Sequence, residues 1–249
     1  EKLNNKTILV TGASSGIGRD VAIFLSKLGA KVIVTARNVS RLDETFSLLT
    51  GDGHNKMATD ISNVDNITIL MDELFSRCGA LDGLVHCAGI QHTMPLQMIA
   101  ENTFNKLFDI NLKSALFLVK CFRRKGKYNP NGGSVVFLSS TAASIGQAGI
   151  SEYSASKAAI QGLSRSLSIE LAKQKIRVNC ISPGVVETKM LSEFQQGLTS
   201  EQFEKIRDRH PLGVGKTSDI VGPIAFLLSD YSSWITGVNL NVDGGYTIG

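Results

Sequence analysis

Short apolar runs alternate with stretches of helical periodicity along the whole chain, and this alternation constrains the fold more than any other feature. Residues 7–10 and 32–35 have the apolar character of buried strands, whereas 17–28 places Ile17, Val21 and Leu28 on one helical face. Repeated strand–helix–strand units predict a parallel sheet with helices on both faces. We therefore expect one α/β domain across residues 1–249, built on a doubly wound parallel sheet of about seven strands.

The predicted elements follow one another with short connections. Strands are expected at 7–10, 32–35, 56–59, 84–86, 134–138, 178–181 and 238–242. Helices are expected at 17–28, 40–49, from a Ser62 cap to 78, and at 101–124, 151–173, 199–209 and 217–228. Thr199 and Gln202 have the spacing of a capping box. The one long irregular region, 183–198, belongs to a segment, 185–212, that we predict to be a loop and helix covering the substrate.

Composition and charge argue against several classes of protein. The net charge of +4 is small and dispersed, and the run Arg123-Arg124-Lys125 is more typical of a solvated helix end than of a nucleic-acid site. The four cysteines lack C-x-x-C spacing and an accompanying His cluster, which favours reduced thiols over a metal site or disulfides. The uncharged segment 132–151 is too rich in Ser, Thr and Gly to span a membrane. We expect a soluble, cytoplasmic protein with no metal, nucleic-acid or membrane partner.

A glycine-rich turn, Thr11-Gly12-Ala13-Ser14-Ser15-Gly16-Ile17-Gly18, joins the first strand to the first helix. Gly12 permits a tight turn, Gly16 lets the backbone approach a pyrophosphate, and Gly18 allows close packing of helix on sheet. The phosphate charge then meets the N–H groups and the positive dipole of the helix start, where Ser14, Ser15 and Ile17 also lie. Three glycines alone are a weak signal, but their place between strand and helix predicts a Rossmann-type dinucleotide site.

The end of the second strand indicates which dinucleotide binds. Arg37 lies 19 residues after Gly18, where the residue that reads the ribose 2′ position is expected. The segment Thr35-Ala36-Arg37 contains no acid that would accept from a ribose diol, whereas a guanidinium can pair with a 2′-phosphate. This favours NADP(H) over NAD(H); the alternative is that Arg37 is an ordinary solvated arginine.

Taken with further motifs, these residues resemble the short-chain dehydrogenase/reductase family in its compact form, over essentially the whole chain. Within the family the chain looks most like ketoreductases, including the 3-oxoacyl-[acyl-carrier-protein] reductases. The motifs that carry the resemblance are the turn at 12–18, Asp60, Ala88-Gly89, Asn111, Ser140, Tyr153-x-x-x-Lys157, and Pro183-Gly184 leading to Thr188. One departure is His86-Cys87, where the family usually has two asparagines. We expect the loss of their amide hydrogen bonds to alter local stability more than catalysis.

Tyr153 and Lys157 are the predicted centre of the chemistry. Four residues apart, they share one face of a helix, and a nearby ammonium should lower the pKa of a phenol. The family spacing favours Ser140, thirteen residues before Tyr153, over Ser139 as the hydroxyl that binds a substrate carbonyl. The resemblance also implies that Asn111 holds a water linking Lys157 to solvent; the alternative for Asn111 is a solvated helix face.

The resemblance assigns the other cofactor contacts as well. It places the adenine amino group against Asp60, with the Ile61 backbone beside it, although Asp60 fits a helix N-terminal acid almost equally well. It places Ala88 and Gly89 along the cofactor, and Pro183 and Gly184 at the nicotinamide. The backbone of Val186 and the hydroxyl of Thr188 are then expected near the carboxamide.

The sequence therefore predicts an NADPH-dependent oxidoreductase that reduces a ketone to a secondary alcohol, or the reverse. The alternative is a non-catalytic NADP-binding regulator or scaffold, against which the complete set Asn111, Ser140, Tyr153 and Lys157 argues. The expected partner is a small-molecule carbonyl or alcohol. Basic residues that often meet a carrier protein in the family are replaced by Asn131 and Gln174, so carrier specificity is left open. The resemblance further implies a homo-oligomer, a dimer or tetramer.

Overall fold

A parallel sheet forms the centre of the protein, for which a computed structural model describes residues 3–195 and 199–248. Within these residues the sheet has seven strands in the order β3-β2-β1-β4-β5-β6-β7, and all pairings are parallel. The strands are β1 (Thr7–Thr11), β2 (Lys31–Ala36), β3 (Asn55–Ala58), β4 (Gly83–His86), β5 (Gly133–Leu138), β6 (Ile176–Pro183) and β7 (Asn239–Val242). The predicted doubly wound α/β fold is thereby confirmed.

Helices cover both faces of the sheet. They are α1 (Gly16–Lys27), α2 (Val39–Ser47), α3 (Val64–Cys78), α4 (Glu101–Phe108), α5 (Ser114–Phe122), α6 (Ser151–Glu170), α7 (Lys189–Gln195), α8 (Ser200–Asp208) and α9 (Thr217–Leu228). Across the described part of the chain, none of the helices combines the length and the apolar character that a bilayer crossing requires.

Two apolar cores lie on opposite sides of the sheet because successive strand residues point to opposite faces. In β1, Ile8 and Val10 belong to the core beneath α1 and α9, whereas Leu9 belongs to the core beneath α3, α5 and α6. Both faces of the strands are therefore buried, which explains why they read as continuous apolar runs rather than alternating patterns.

Three local predictions are wrong in detail. The N-cap of α3 is Asn63, whose side chain accepts from the Asp65 N–H at 2.7 Å, and not Ser62. The predicted helix 101–124 is divided into α4 and α5 by a π-helical segment, Asp109–Lys113. The irregular region 183–198 contains α7, although residues 196–198 lie outside the described residues. The capping box is confirmed, since Thr199 and Gln202 exchange hydrogen bonds at 3.2 and 2.9 Å.

The basic cluster after α5 is occupied by contacts within the chain. Arg124 forms an ion pair with Asp72, and its guanidinium lies over the Phe75 ring at 5.7 Å. The Lys127 ammonium lies 4.9 Å from the centroid of the same ring. These contacts are those of a solvated helix end packed over an aromatic side chain.

Candidate active site

A cleft of about 760 Å³ lies at the carboxyl ends of the parallel strands. The segments that follow β1, β2, β4, β5 and β6 form its walls. β1 and β4 are neighbours in the sheet, and the chain winds away from them in opposite directions. Open α/β sheets bind ligands in the crevice that such a reversal creates.

Two glycines keep the turn after β1 close to its neighbours. Gly12 has a φ of +68°, and a Cβ on it would lie 2.7 Å from the backbone of Ala88. A Cβ on Gly18 would lie 2.4 Å from the Gly12 carbonyl oxygen. Since neither position has room for a side chain, the turn stays tight and presents its backbone to the cleft. Gly16 begins α1 directly beside Thr188, so the turn and the segment after β6 meet across the cleft.

The amino end of α1 is suited to an anion. Its N-cap, Ser15, makes no side-chain capping hydrogen bond among the described residues, and the first turn carries no acid. The positive end of the helix dipole is therefore not neutralised by the chain itself, and it faces the cleft together with Ser14 and Ile17.

Substitution of Gly18 should show how much ligand binding depends on this turn. We expect Gly18→Ala to raise the dissociation constant of a nicotinamide dinucleotide about 100-fold, because the turn must shift to admit the methyl group. Overpacking should also lower the free energy of unfolding by about 1–3 kcal/mol. Fluorescence titration and thermal unfolding measure the two effects. Gly222→Ala, where a Cβ meets nothing within 4 Å, is the matched control. Equal affinity of both variants would contradict the expectation.

Two arginines line the cleft beyond the end of β2. Arg37 follows Ala36 directly, and Arg41 lies one turn into α2, whose N-cap Asn38 accepts from the Arg41 N–H at 2.9 Å. Both arginines are exposed. Arg37 is the arginine predicted from the sequence. Arg41 was not predicted, since a polar residue on a surface helix carries no distinguishing signal.

Asp60 and Ile61 lie on the same side of the cleft. Desolvation opposes ionisation of Asp60, but hydrogen bonds from Ser62 and the charges of Arg37 and Lys106 bring its pKa below the usual value. The Asp60 carboxylate accepts from the Ser62 N–H at 3.0 Å, so it also stabilises the turn that leads into α3. Both interpretations of Asp60, as a ligand contact and as an acid before a helix, are compatible with this placement.

Tyr153 and Lys157 lie on the first turns of α6 and both line the cleft. The Lys157 ammonium lies 5.6 Å from the centroid of the Tyr153 ring and donates to the Leu138 carbonyl at 2.7 Å. The Ser140 hydroxyl lies beside the Tyr153 phenol, where it favours the ionised form, and it accepts from the Ala142 N–H at 3.1 Å. Strand β5 and helix α6 thus bring the three predicted side chains together.

The two neighbouring serines have different surroundings. The buried Ser139 donates to the Lys157 carbonyl at 2.9 Å and accepts from the Gln161 amide at 3.1 Å. These contacts tie the end of β5 to α6. Ser140 is therefore the serine whose hydroxyl faces Tyr153, in agreement with the family spacing.

The prediction that Lys157 lowers the pKa of the Tyr153 phenol is wrong. Burial raises the pKa of Tyr153 to about 12, opposed only by the hydrogen bond to Ser140. Burial also lowers the pKa of Lys157 to about 8. Desolvation is the larger effect because both groups are enclosed and the ammonium is directed to the Leu138 carbonyl. The phenol is consequently neutral near pH 7 and retains a proton to donate.

Asn111 is fully buried outside the cleft wall, within the π-helical segment. Its amide donates to the Ile90 carbonyl at 3.0 Å and to the Ser156 hydroxyl at 3.0 Å, and its oxygen accepts from the Ile90 N–H at 2.8 Å. A Cβ on Gly89 would lie 3.3 Å from both the Asn111 oxygen and the Lys157 ammonium. The structure thus brings Asn111 close to Lys157, and its side chain holds the segment after β4, to which Ala88 and Gly89 belong.

The end of β6 at Pro183 and the segment after it form the wall that meets the glycine-rich turn. Pro183, Gly184, Val186 and Thr188 all line the cleft, and the Thr188 hydroxyl accepts from the Leu191 N–H at 3.4 Å at the start of α7. Helix α7 was not predicted, yet it contributes apolar lining residues. The apolar side chains that line the cleft include Ile145, Ile150, Met190, Leu191 and Phe194.

Tyr246 is a further lining residue and was not predicted from the sequence. It is buried and stacks on His210 with ring centroids 4.1 Å apart. It follows the last strand, where helical or strand periodicity gives no signal. Among residues 3–195 and 199–248, no group of three His, Cys, Asp or Glu side chains is arranged to hold a metal ion.

Comparison with known proteins agrees with this geometry. A sequence model of the family described as enoyl-(acyl carrier protein) reductase matches residues 12–247. The chain is 34% identical over 244 residues to the 3-oxoacyl-[acyl-carrier-protein] reductase FabG of Vibrio cholerae, covering 98% of each protein. A short-chain type dehydrogenase/reductase from Mycobacterium ulcerans superimposes with a TM-score of 0.92 at 31% identity, covering 100% of this chain and 92% of that one. A variant of actinorhodin polyketide ketoreductase, solved with NADPH, has a TM-score of 0.92 at 30% identity and 98% coverage of both chains.

Proposed function

Because the chain belongs to the short-chain dehydrogenase/reductase family and is an NAD(P)-dependent oxidoreductase acting on CH–OH groups, we propose specific roles for its side chains in the reduction of a ketone to a secondary alcohol. Tyr153 donates the proton, Ser140 binds the carbonyl oxygen, and Lys157 supports Tyr153. The observation that carries this proposal is the Tyr153 phenol in the cleft wall, beside the Ser140 hydroxyl.

The residues of the cleft fit a nicotinamide dinucleotide. The close approach of Gly12 and Gly18 to neighbouring backbone leaves a cradle without side chains beneath the amino end of α1, as a pyrophosphate requires. Gly12, Ser14, Ser15, Gly16, Ile17 and Gly18 would hold the pyrophosphate. Asp60, Ile61, Ala88 and Gly89 would hold the adenosine, and Pro183, Gly184, Val186 and Thr188 the nicotinamide. When bound, this cofactor supplies the hydride for reduction.

The protein's own groups stabilise the charge that develops on the carbonyl oxygen. Two hydroxyls, those of Ser140 and Tyr153, lie together in the cleft wall and donate to that oxygen. Tyr153 transfers its proton, which is available because burial keeps the phenol neutral. Burial lowers the pKa of Lys157 to about 8, and Lys157 returns a proton to the Tyr153 phenolate. Asn111 supports a path of water molecules to Lys157.

We propose that the substrate enters beneath the segment 185–212, of which α7 provides apolar lining side chains. We also propose that the substrate is not obligatorily linked to a carrier protein, since Asn131 and Gln174 carry no charge for an acidic partner. The test follows the absorbance of NADPH as the purified protein oxidises it. The substrates compared are carrier-linked and free 3-oxoacyl thioesters, simple ketones and sugar-derived ketones. Turnover of a free ketone is expected. Tight NADPH binding without turnover of any substrate would instead indicate a regulator or scaffold.

We further propose NADP(H) as the preferred cofactor, held at its 2′-phosphate by Arg37. We expect Arg37→Ala to lower kcat/KM for NADPH about 10- to 100-fold, the value of a charge-assisted hydrogen bond, and to leave that for NADH almost unchanged. Steady-state kinetics with both cofactors measure this. Arg123→Ala removes the charge of another exposed arginine far from the cleft and serves as control. An equal loss with NADPH and NADH would assign Arg37 a role other than phosphate recognition.

We further propose that the protein is a homo-oligomer and lies in the cytoplasm. The four cysteines, all within the described residues, are unpaired, which fits a reducing compartment. Apolar side chains remain exposed on two surfaces that a second copy could cover, namely Leu116 and Ile169 on α5 and α6, and Trp234 and Val238 before β7. Light scattering of the purified protein tests for a dimer or tetramer.

A further inference from the structure

His86 ends β4 in a position enclosed by the sheet and α5, and it is 1% exposed. One ring nitrogen, Nδ1, lies 2.9 Å from the Thr11 hydroxyl at the end of β1. The other, Nε2, lies 3.2 Å from the Ser114 hydroxyl at the start of α5. The ring edge also packs against Phe137 in a T-shaped arrangement. An imidazole can span these two hydroxyls because its nitrogens lie on opposite sides of the ring.

The neighbouring hydrogen bonds determine where the ring proton lies. The Ser114 hydroxyl donates to the Ile110 carbonyl at 2.6 Å, so it accepts from Nε2–H. The Thr11 hydroxyl accepts from the Ala88 N–H at 3.3 Å, so its own proton is directed to Nδ1. With these two directions, every donor of the chain has an acceptor when the ring is the neutral Nε2–H tautomer.

Burial and the charge of Lys157 keep the ring neutral, since they lower the pKa of His86 to about 3. A continuous chain of hydrogen bonds therefore runs in one direction, from the Ala88 N–H through Thr11, His86 and Ser114 to the Ile110 carbonyl. Such a chain acts as a unit because each bond fixes the proton position of the next.

The two ends of this chain lie at different parts of the active site. Thr11 precedes Gly12, and a Cβ placed on Gly12 would touch the Ala88 backbone. This end of the chain therefore lies at the glycine-rich turn after β1. Ile110 precedes Asn111 in the π-helical segment, and the Asn111 amide donates to the hydroxyl of Ser156, the residue before Lys157. π-Helical segments inside α-helices are rare and are frequently found at functional sites.

We propose that His86 is a positioning residue that couples the dinucleotide-binding turn after β1 to the π-helical segment carrying Asn111, through a hydrogen-bonded imidazole in its neutral form. This rests on the proposed function for the roles of Gly12 and Asn111, but the coupling itself is a property of the fold. The His86 ring thereby connects the end of β1 to the start of α5.

The test perturbs one end and measures the other. We expect Ser114→Ala, at the π-helical end, to raise the dissociation constant of NADPH about fivefold, although Ser114 is separated from the cofactor turn by His86. We expect Thr11→Val to speed amide hydrogen exchange of residues 109–114 about fivefold in the protein without cofactor. In a His86→Asn background, whose shorter side chain reaches Thr11 but not Ser114, both cross-effects should disappear.

The control is Ser134→Ala, which removes a buried serine hydroxyl that donates to the Leu227 carbonyl at 2.7 Å at the amino end of β5. It should lower the thermal midpoint as Ser114→Ala does and leave the NADPH dissociation constant unchanged. Effects confined to the perturbed end, or cross-effects that persist in His86→Asn, would overturn the proposal. Because hydrogen exchange requires no turnover, this outcome is distinct from a failure of the proposed catalytic roles.

Discussion

Replacement of Tyr153 with Phe is expected to lower kcat for ketone reduction by about 10²–10⁴-fold, the contribution of a positioned general acid. The substitution removes only the hydroxyl that lies beside Ser140, and the ring remains in its buried site. Cofactor affinity should change little, because the glycine-rich turn that holds the pyrophosphate is unaffected. Single-turnover oxidation of NADPH and fluorescence titration separate the two quantities.

Tyr231→Phe is the matched control for this substitution, since Tyr231 is 78% exposed and lies outside the cleft. Its kcat should equal that of the unmodified protein. Turnover by Tyr153→Phe within a factor of about three of the unmodified protein would remove Tyr153 from the role of acid. In that case Ser140 would be left as the hydroxyl nearest the reacting oxygen.

Replacement of Lys157 with Met is expected to lower kcat by about 10²–10³-fold, since it removes a buried cation from beside Tyr153. The pH profile should identify the group. Because burial lowers the pKa of Lys157 from 10.5 to about 8, its charge is present below that pH and is lost above it. The rate of reduction should therefore fall as pH rises through about 8. Tyr153, with a pKa of about 12, remains protonated throughout.

Steady-state kcat measured across this range tests the assignment. Lys157→Arg keeps a charge at every accessible pH, so its lower activity should no longer decline near pH 8. Lys173→Met, at an exposed lysine beyond α6, should retain the unmodified profile. A decline near pH 8 that persists in Lys157→Arg would belong to another group.

Many features of the cleft could be predicted from residue order because parallel strands end at the same edge of a sheet. The segments that carry Gly12, Ala88, Ser140 and Pro183 each follow a predicted strand, so their convergence required only the correct fold class. Arg41, Tyr246 and α7 were not predicted. Their residues are ordinary for their local sequence, and only the packing of distant segments places them in the cleft.

The π-helical segment shows why a helix boundary can escape sequence analysis. Residues 101–124 have an amphipathic helical pattern, and a π-helical turn widens the helix without changing its residue types. The contacts that hold this segment come from residues far away in the chain: Ile90 and Ser156 bind Asn111, and His86 binds Ser114. Asn111 therefore lies in a buried support of the active site and not on a solvated helix face.

Residue order by itself determined the doubly wound sheet, the glycine-rich turn and the pairing of Tyr153 with Lys157, because these depend on periodicity and on spacing within one element. Tertiary structure alone decided the direction of the pKa shifts of that pair and the hydrogen-bond partners of His86. Both depend on burial and on partners from several strands and helices: desolvation raises the pKa of Tyr153, and His86 joins β1 to α5. Desolvation and long-range hydrogen bonds arise from three-dimensional packing, which short-range sequence patterns do not encode.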